Sequence, residues 1–332
     1  MKTKYIFTRG EIKRKDNSIA FIGKDKKWVY LPVKGLREVY FLSEVSLNSR
    51  LLAFAGKNKI IFHFFGYYGN YLGSFYPKRQ LISGDLTIKQ AFAHAQKRVV
   101  IAKAIVRAIA SNIYEVLYHY YRHDKKELKP ILDWLKKDVD KFLQKDLDIK
   151  QILFIEGKIW QKFYDSFEYF LPKEFLLNKR VKRPPNNPMN ALIGFGNSML
   201  YTKTISAIYR THLNQSISFL HSPSDARFSL SLDLSEAFKP IIVFKTIFEL
   251  INRKKLQINK HFNKDVNYSL LNNAGKKIFL EAFENRLKEK FMHSSLNRYI
   301  SYQSAIKYDG YKLIKFLLEG KEFMPFLLKD KK

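Results

Sequence analysis

AFAHAQKRVVIAKAIVRAIASNIYEVLYHYY, residues 91–121, decides the fold class. It belongs to a stretch, Thr87 to Tyr121, that holds neither Gly nor Pro. Its apolar residues recur at the three-and-four spacing that lines one face of an α-helix. Nothing before residue 82 reads this way. There the chain breaks into short runs rich in Val, Ile, Phe and Tyr: KYIFT (4–8), SIAFIG (18–23), KWVYLPV (27–33), REVYFL (37–42), LLAFAG (51–56), KIIFHFF (59–65) and NYLGSFYP (70–77). Polar or Gly-containing turns such as Lys15-Asp16-Asn17 and Gly23-Lys24-Asp25 separate them. Runs spaced this closely predict a small antiparallel sheet or sandwich.

Beyond the quoted helix the same period continues. Further helices are expected over Ile131–Leu143, from about Asp148 to Phe170, from Pro188 to His212, and over Ser235–Ile251, Gly275–Phe291 and Ser294–Leu318. Ser218–Phe228 reads as a loop or a short extended piece. The expected architecture is therefore α+β: a sandwich-like β domain at 1–82 and a larger all-α domain at 85–328. No internal repeat or low-complexity segment interrupts it, and the KDKK end (Lys329–Lys332) reads as frayed.

Hydrophobic residues make up 46% of the 332, enough for packed cores rather than disorder. Lys and Arg number 60 against 30 acids, a net charge of +30. Unpaired charges stay at the surface, so the chain displays a strongly basic exterior whose natural partner is a polyanion. A lysine-rich proteome is the alternative source of that charge. Cysteine is absent, which excludes disulfides, thiolate metal sites and Cys nucleophiles. MKTKYIFTRGEIKRK contains no apolar run of signal-peptide length. The longest uncharged stretch, Pro184–Thr202, holds three Pro and four Asn and is unsuited to a bilayer. No membrane association is expected, and the cytoplasm is the expected location.

Five places carry possible chemistry. Asp233 and Glu236, in SLDLSEAFKP, lie three apart and share a helix face. Two such carboxylates converge on a hard cation, or they form an N-cap with its third-position partner. His221 sits just upstream, in SFLHSPSDARF. His119 and His123 form an i,i+4 pair without the glutamate of a metalloprotease motif. Glu156, in QILFIEGKIW, has apolar neighbours and a following Gly. NKRVKRPP places Lys179, Arg180, Lys182 and Arg183 together, as a phosphate-gripping cluster or a solvated charge run.

LFIEG, KRPPNNPMNALIGFGNSMLY and ISFLHSPSDARFSLSLDLSEAFKPIIVFKTIFELIN, in that order, closely resemble the CRISPR-associated spacer-acquisition integrase (Cas-one), the larger of the two universal adaptation proteins. SGDLTIKQ (83–90), NNAGKKIFLEAFENRL (272–287) and SYQSAIKYDGYKLIKFLLEG (301–320) extend the similarity over essentially the whole chain. The resemblance implies that Glu156, His221 and Glu236 are ligands of a divalent Mg2+ or Mn2+. It makes Asp233 the acidic residue beside them, and puts Asn190 and Tyr201 near the active site on a long central helix. Asn197 stands where a Tyr is frequent, and Lys239 where an Arg is frequent. Lys239 and the run 179–183 would hold DNA.

The implied reaction is insertion of short double-stranded DNA fragments into the CRISPR repeat. A fragment's 3′-OH would attack a phosphodiester at the repeat edge. Implied partners are a second copy of the chain, joined largely through the β domain, and the small adaptation protein (Cas-two) in a heterohexamer. The aromatic run 62–77 is a candidate for the dimer surface or for the β domain's own core. Two other functions use the same residues. A metal-dependent nuclease of branched or single-stranded DNA would replace the 3′-OH with water. A non-catalytic DNA scaffold needs no clustered acids, which would repel DNA without a cation between.

Overall fold

The structure is a computed structural model that describes residues 2–23, 27–78, 81–182, 184–223, 228–264, 269–293 and 296–328. It divides into two compact units, Met1–Gln80 and Leu81–Lys332.

In chain order the first unit holds β1 (Lys2–Ile6), β2 (Gly10–Lys15), β3 (Ser18–Gly23), β4 (Trp28–Leu31), β5 (Leu36–Phe41), β6 (Val45–Ser46), α1 (Ser49–Lys57), β7 (Ile61–Phe65) and β8 (Tyr71–Phe75). Two four-stranded sheets form, ordered β1-β5-β7-β8 and β4-β3-β2-β6. Ile6, Val39, Phe41 and Phe62 of the first meet Ile12, Ile19, Phe21 and Leu31 of the second in one core. The sandwich-like expectation holds, but the sheets are not purely antiparallel. β1, β5 and β7 run parallel, and so do β2 and β6. Parallel neighbours need crossover connections. The β2–β4 meander supplies the first and α1 the second, so short spacing between strands did not mean hairpins throughout.

Two local readings also change. LLAFAG (51–56) lies in helix α1, not a strand. The Asn48 side chain accepts the Leu51 amide at 3.1 Å, and Leu51, Phe54 and Ala55 turn one buried face to the core. GEIKRK (10–15) is a strand despite its charges. Ile12 alone points inward, and Lys15 pairs with Ser18 across a two-residue turn in which Asp16 takes φ 53°. The second turn, at 24–25, lies outside the described residues. The aromatic run 62–77 serves the core in part: Phe62, His63 and Phe65 are buried, while Tyr67, Tyr68 and Leu72 are exposed.

The second unit contains α2 (Gly84–Gln96), α3 (Arg98–Arg122), α4 (Lys129–Asp133), α5 (Val139–Gln144), α6 (Ile149–Asp165), α7 (Pro188–Tyr209), α8 (Ser229–Glu236), α9 (Lys245–Asn252) and α10 (Ile258–His261). Then follow β9 (Phe262–Lys264), β10 (Ser269–Leu271), α11 (Asn273–Lys288), β11 (Lys290–His293), β12 (Arg298–Ser301) and α12 (Tyr302–Glu319). The unit is mostly helical, with two short antiparallel hairpins, β9/β10 and β11/β12, where only helix and loop were expected. No helix among the described residues is long and apolar enough to cross a membrane.

α7 is the central helix. Asn187 caps it by accepting the Asn190 amide at 2.8 Å, Pro188 opens it, and Met189, Leu192, Ile193, Met199, Ile205 and Ile208 are buried around it. Gly196 allows that closeness. A Cβ there would stand 2.6 Å from Val243 and 2.9 Å from Phe279. α8 does not begin at Ser235 as expected. It begins at Ser229, and a π-helical turn over Lys239–Phe244 carries the chain into α9.

Candidate active site

The expected continuous helix over 87–121 breaks at Lys97, and the break serves the site. α2 and the start of α3 present Gln90, His94 and Arg98 to the segment before His221. Gln90 Nε2 donates to the carbonyls of Asn214 and Ile217, both at 2.8 Å, and its Oε1 accepts the Asn214 amide at 3.0 Å. His94 Nδ1 lies 2.6 Å from the Ser218 carbonyl. Arg98 donates to the carbonyls of Phe219 and Leu220 at 2.8 and 3.2 Å. A loop rich in exposed-type residues is thereby fastened carbonyl by carbonyl.

Its other side is fastened by Asp233. Because α8 starts four residues before it, Asp233 sits in the helix body, fully buried, and cannot be an N-cap. Its Oδ2 accepts the amides of Phe219 and Leu220 at 2.6 and 2.8 Å. Its Oδ1 accepts the amide of His221 at 3.0 Å and His221 Nδ1 at 2.8 Å. Four bonds exhaust what a carboxylate accepts. Asp233 therefore supports His221 and leaves Nε2 as the imidazole's lone-pair nitrogen.

Glu236 closes α8 and is 2% exposed. One oxygen takes the ammonium of Lys239; the other, Oε2, is buried without a partner. Asn112 of α3 donates to the Ala237 carbonyl at 2.7 Å and so fixes the turn between Glu236 and Lys239. Glu156 comes from α6. Burial and then the neighbouring Glu236 carboxylate push its pKa up to about 7, against Lys239, His221 and a hydrogen bond from Trp160. Burial works against the His221 cation. The Asp233 hydrogen bond and the charges of Glu236 and Asp233 outweigh it, so His221 lies above the ordinary histidine range. The two glutamates, His221 and Lys239 thus form one electrostatic cluster.

The basic run does not act as one. Lys179 and Lys182 are exposed, whereas Arg180 turns inward. Its Nη1 donates to Asn190 Oδ1 at 2.8 Å and to the Val181 carbonyl at 2.6 Å, and the Tyr164 hydroxyl interacts electrostatically with the guanidinium. Arg183 lies outside the described residues. Asn190, fully buried, also accepts the Val181 amide and donates to the Lys179 carbonyl, so it anchors this segment to α7. Tyr201 accepts the Phe228 amide at 2.9 Å, tying α7 to the start of α8. Lys239 is no surface cation. It is mostly buried against Glu236, and its ammonium lies 5.8 Å from the centre of the Trp160 ring.

Sequence reasoning missed Trp160 and Tyr164. They follow Glu156 at four and eight residues, the spacing of one helical stripe, and that signal was readable. It also missed Gln90, His94, Arg98 and Asn112, whose partners lie more than a hundred residues away. His119 and His123 lie with ring centres 4.6 Å apart and planes tilted by 45°, and among the described residues no acid joins them in a metal-binding group.

Among the described residues, no three His, Asp or Glu side chains are assembled as a ready-made metal cage. The donor set around Glu236 nevertheless fits a hard divalent cation. It offers two carboxylates, an imidazole with its free nitrogen fixed, and a buried carboxylate oxygen that nothing satisfies.

A family profile described as CRISPR associated protein Cas1 matches residues 4–285. The chain is 40% identical over 329 residues to a protein of Thermodesulfovibrio yellowstonii named CRISPR-associated endonuclease Cas1 2, covering 98% of each. It is 33% identical to a solved CAS1 protein from Thermotoga maritima, with a TM-score of 0.84, covering 97% of this chain and 99% of that one. A casposase solved bound to an integration product has the same fold, at 20% identity and a TM-score of 0.85, covering 100% of this chain and 95% of that one.

Proposed function

Because the chain belongs to the CRISPR-associated Cas1 family, we propose that it is the metal-dependent DNA integrase of CRISPR adaptation, joining the 3′-OH of a short DNA fragment to a phosphodiester of the repeat. The observation that carries this reading is the cluster around Glu236: a Glu156 carboxyl that burial, and then the Glu236 charge, push up to about 7, one carboxylate oxygen unsatisfied, and an imidazole locked by Asp233. Such a site is short of positive charge until a cation enters with its substrate.

Glu156, Glu236 and His221 would hold Mg2+ or Mn2+, which supplies the acidity the attacking hydroxyl needs and offsets charge on the phosphate. The rest falls to the chain itself. Asp233 keeps the proton on His221 Nδ1. Asn112 and Lys239 hold Glu236 in place. Asn190 and Tyr164 hold Arg180, and Lys179 and Lys182 would meet the DNA backbone at the surface. A homodimer through the β unit, and the small adaptation protein (Cas-two) bridging two such dimers, complete the proposed assembly.

The test is strand transfer of a short double-stranded fragment into a supercoiled plasmid carrying a repeat, with Mg2+, Mn2+ or chelator, and with or without the small partner. Joined product that requires metal and partner is expected, and Glu156→Ala or His221→Ala should abolish it while sparing most DNA affinity. Cleavage without joining would make the protein a nuclease. Binding indifferent to chelator, with no product, would make it a scaffold.

A further inference from the structure

Arg180 is a partly buried cation without an acid. Among the described residues no ion pair joins it to a carboxylate, and the link to the acids runs through Tyr164, whose hydroxyl feels the charges of Arg180, Glu236 and Glu156. Its two hydrogen-bond acceptors, Asn190 Oδ1 and the Val181 carbonyl, are neutral, as is the Tyr164 hydroxyl near it. Guanidinium carries five N–H donors, and both bonds use Nη1, so the three on Nε and Nη2 remain. A desolvated charge is normally paired, and one that is rigidly held but unpaired marks the place of an anion that comes from outside.

The holders are themselves fixed. Asn190 is fully buried with its amide doubly committed on each side. Tyr164 stands two turns beyond Glu156 on α6 and packs on Trp160 and Phe167, with ring centres 6.0 and 5.8 Å away. Lys179 and Lys182, one and two residues away, are exposed and lack any such support. Among the described residues of the run there is therefore one held fork between two exposed point charges, and a fork matches two oxygens of one phosphate.

We infer that Arg180 binds the two non-bridging oxygens of the phosphodiester that reacts beside Glu156 and Glu236, and that Tyr164 and Asn190 are positioning residues for its guanidinium. This rests on the reading of the site as a strand-transfer centre. Burial lowers the Arg180 pKa from its ordinary value, as expected of a cation awaiting its counter-charge.

The test compares strand transfer by the full-length protein, with its small partner, on a natural target and on one whose reacting phosphate is a neutral methylphosphonate. On the natural target Arg180→Gln should lower kcat about 100-fold with KM little changed. Tyr164→Phe, which removes one hydroxyl and no packing, should lower kcat about fivefold, and Arg180→Lys should recover only part of the loss. Lys182→Ala should act on KM. The methylphosphonate should slow wild type strongly and Arg180→Gln far less. Equal penalties in the two proteins, or an unchanged kcat in Arg180→Gln, would overturn the assignment. A second arm reads the site without turnover: phosphorus NMR titration of a dinucleotide, in chelator, should show binding that Arg180→Gln and Tyr164→Phe weaken. If wild type transfers no strand but this difference appears, the integrase reading fails and the anion site stands. If the titration shows no difference, the site falls.

Discussion

Asp233 and Glu236 are three residues apart, share a helix and do different work. Asp233 is fully satisfied by one imidazole and three amides, whereas Glu236 keeps a buried oxygen with no partner. Their shared face was legible from spacing; their division of labour was not, because the amides that fill Asp233 belong to residues 219–221. Glu156 has a thermodynamic signature of its own. Its folded pKa, about 7, lies above the ordinary 4.5, so the native protein holds a proton that the unfolded chain releases. The stabilisation this provides is complete below pH 4.5 and is lost as pH rises through 7. In chelator, Glu156→Gln should match wild type near pH 4.5 and exceed it by on the order of 2 kcal/mol at pH 8. Urea melts at several pH values read the difference, and parallel curves would contradict it. Saturating Mn2+ should reverse the order at pH 8, since only the carboxylate binds the ion.

At the scale of elements, the helices of the site were readable wherever apolar periodicity ran long: α6 and α7 lie within their expected stretches, and α3 overruns its own by one residue, Arg122. What failed was short or interrupted. LLAFAG is six residues of apolar run that strand and helix share equally, and a cap at Asn48 decided the matter. The break at Lys97 carries no Gly or Pro. It follows instead from the bonds that Gln90, His94 and Arg98 make to residues 214–220, which no local signal announces. The hairpin over 290–301 is too short to display a period. The clamp itself is testable. Gln90→Ala leaves two carbonyls and one amide without their partner in a buried place. It should cost about 2–3 kcal/mol of stability, measured by denaturant unfolding, and lower strand transfer more than DNA affinity by loosening the path to His221.

The whole molecule carries a charge of +30 that no single site explains. Composition showed this at once, and it predicted a polyanionic partner without saying where. The structure separates two settings of that charge. Lys179 and Lys182 are exposed, whereas Arg180 is partly buried and held by neutral partners. The double variant Lys179→Ala/Lys182→Ala should weaken DNA binding equally for all sequences. It should reduce the slope of log affinity against log salt by about 0.9 for each phosphate that is no longer neutralised. Fluorescence anisotropy between low and moderate salt measures it, and an unchanged slope would place those lysines off the DNA.

The carboxylate of Asp233 has one more consequence. The amides of Phe219 and Leu220 belong to no helix or strand, yet both end on a buried anion beneath side chains that are 0% exposed. In heavy water they should keep their hydrogens as long as the innermost turns of α7 do, because they can exchange only when that unit opens as a whole. The imidazole then shares the lifetime of the protein's core, and conditions that fray its surface should leave the histidine in its place beside Asp233.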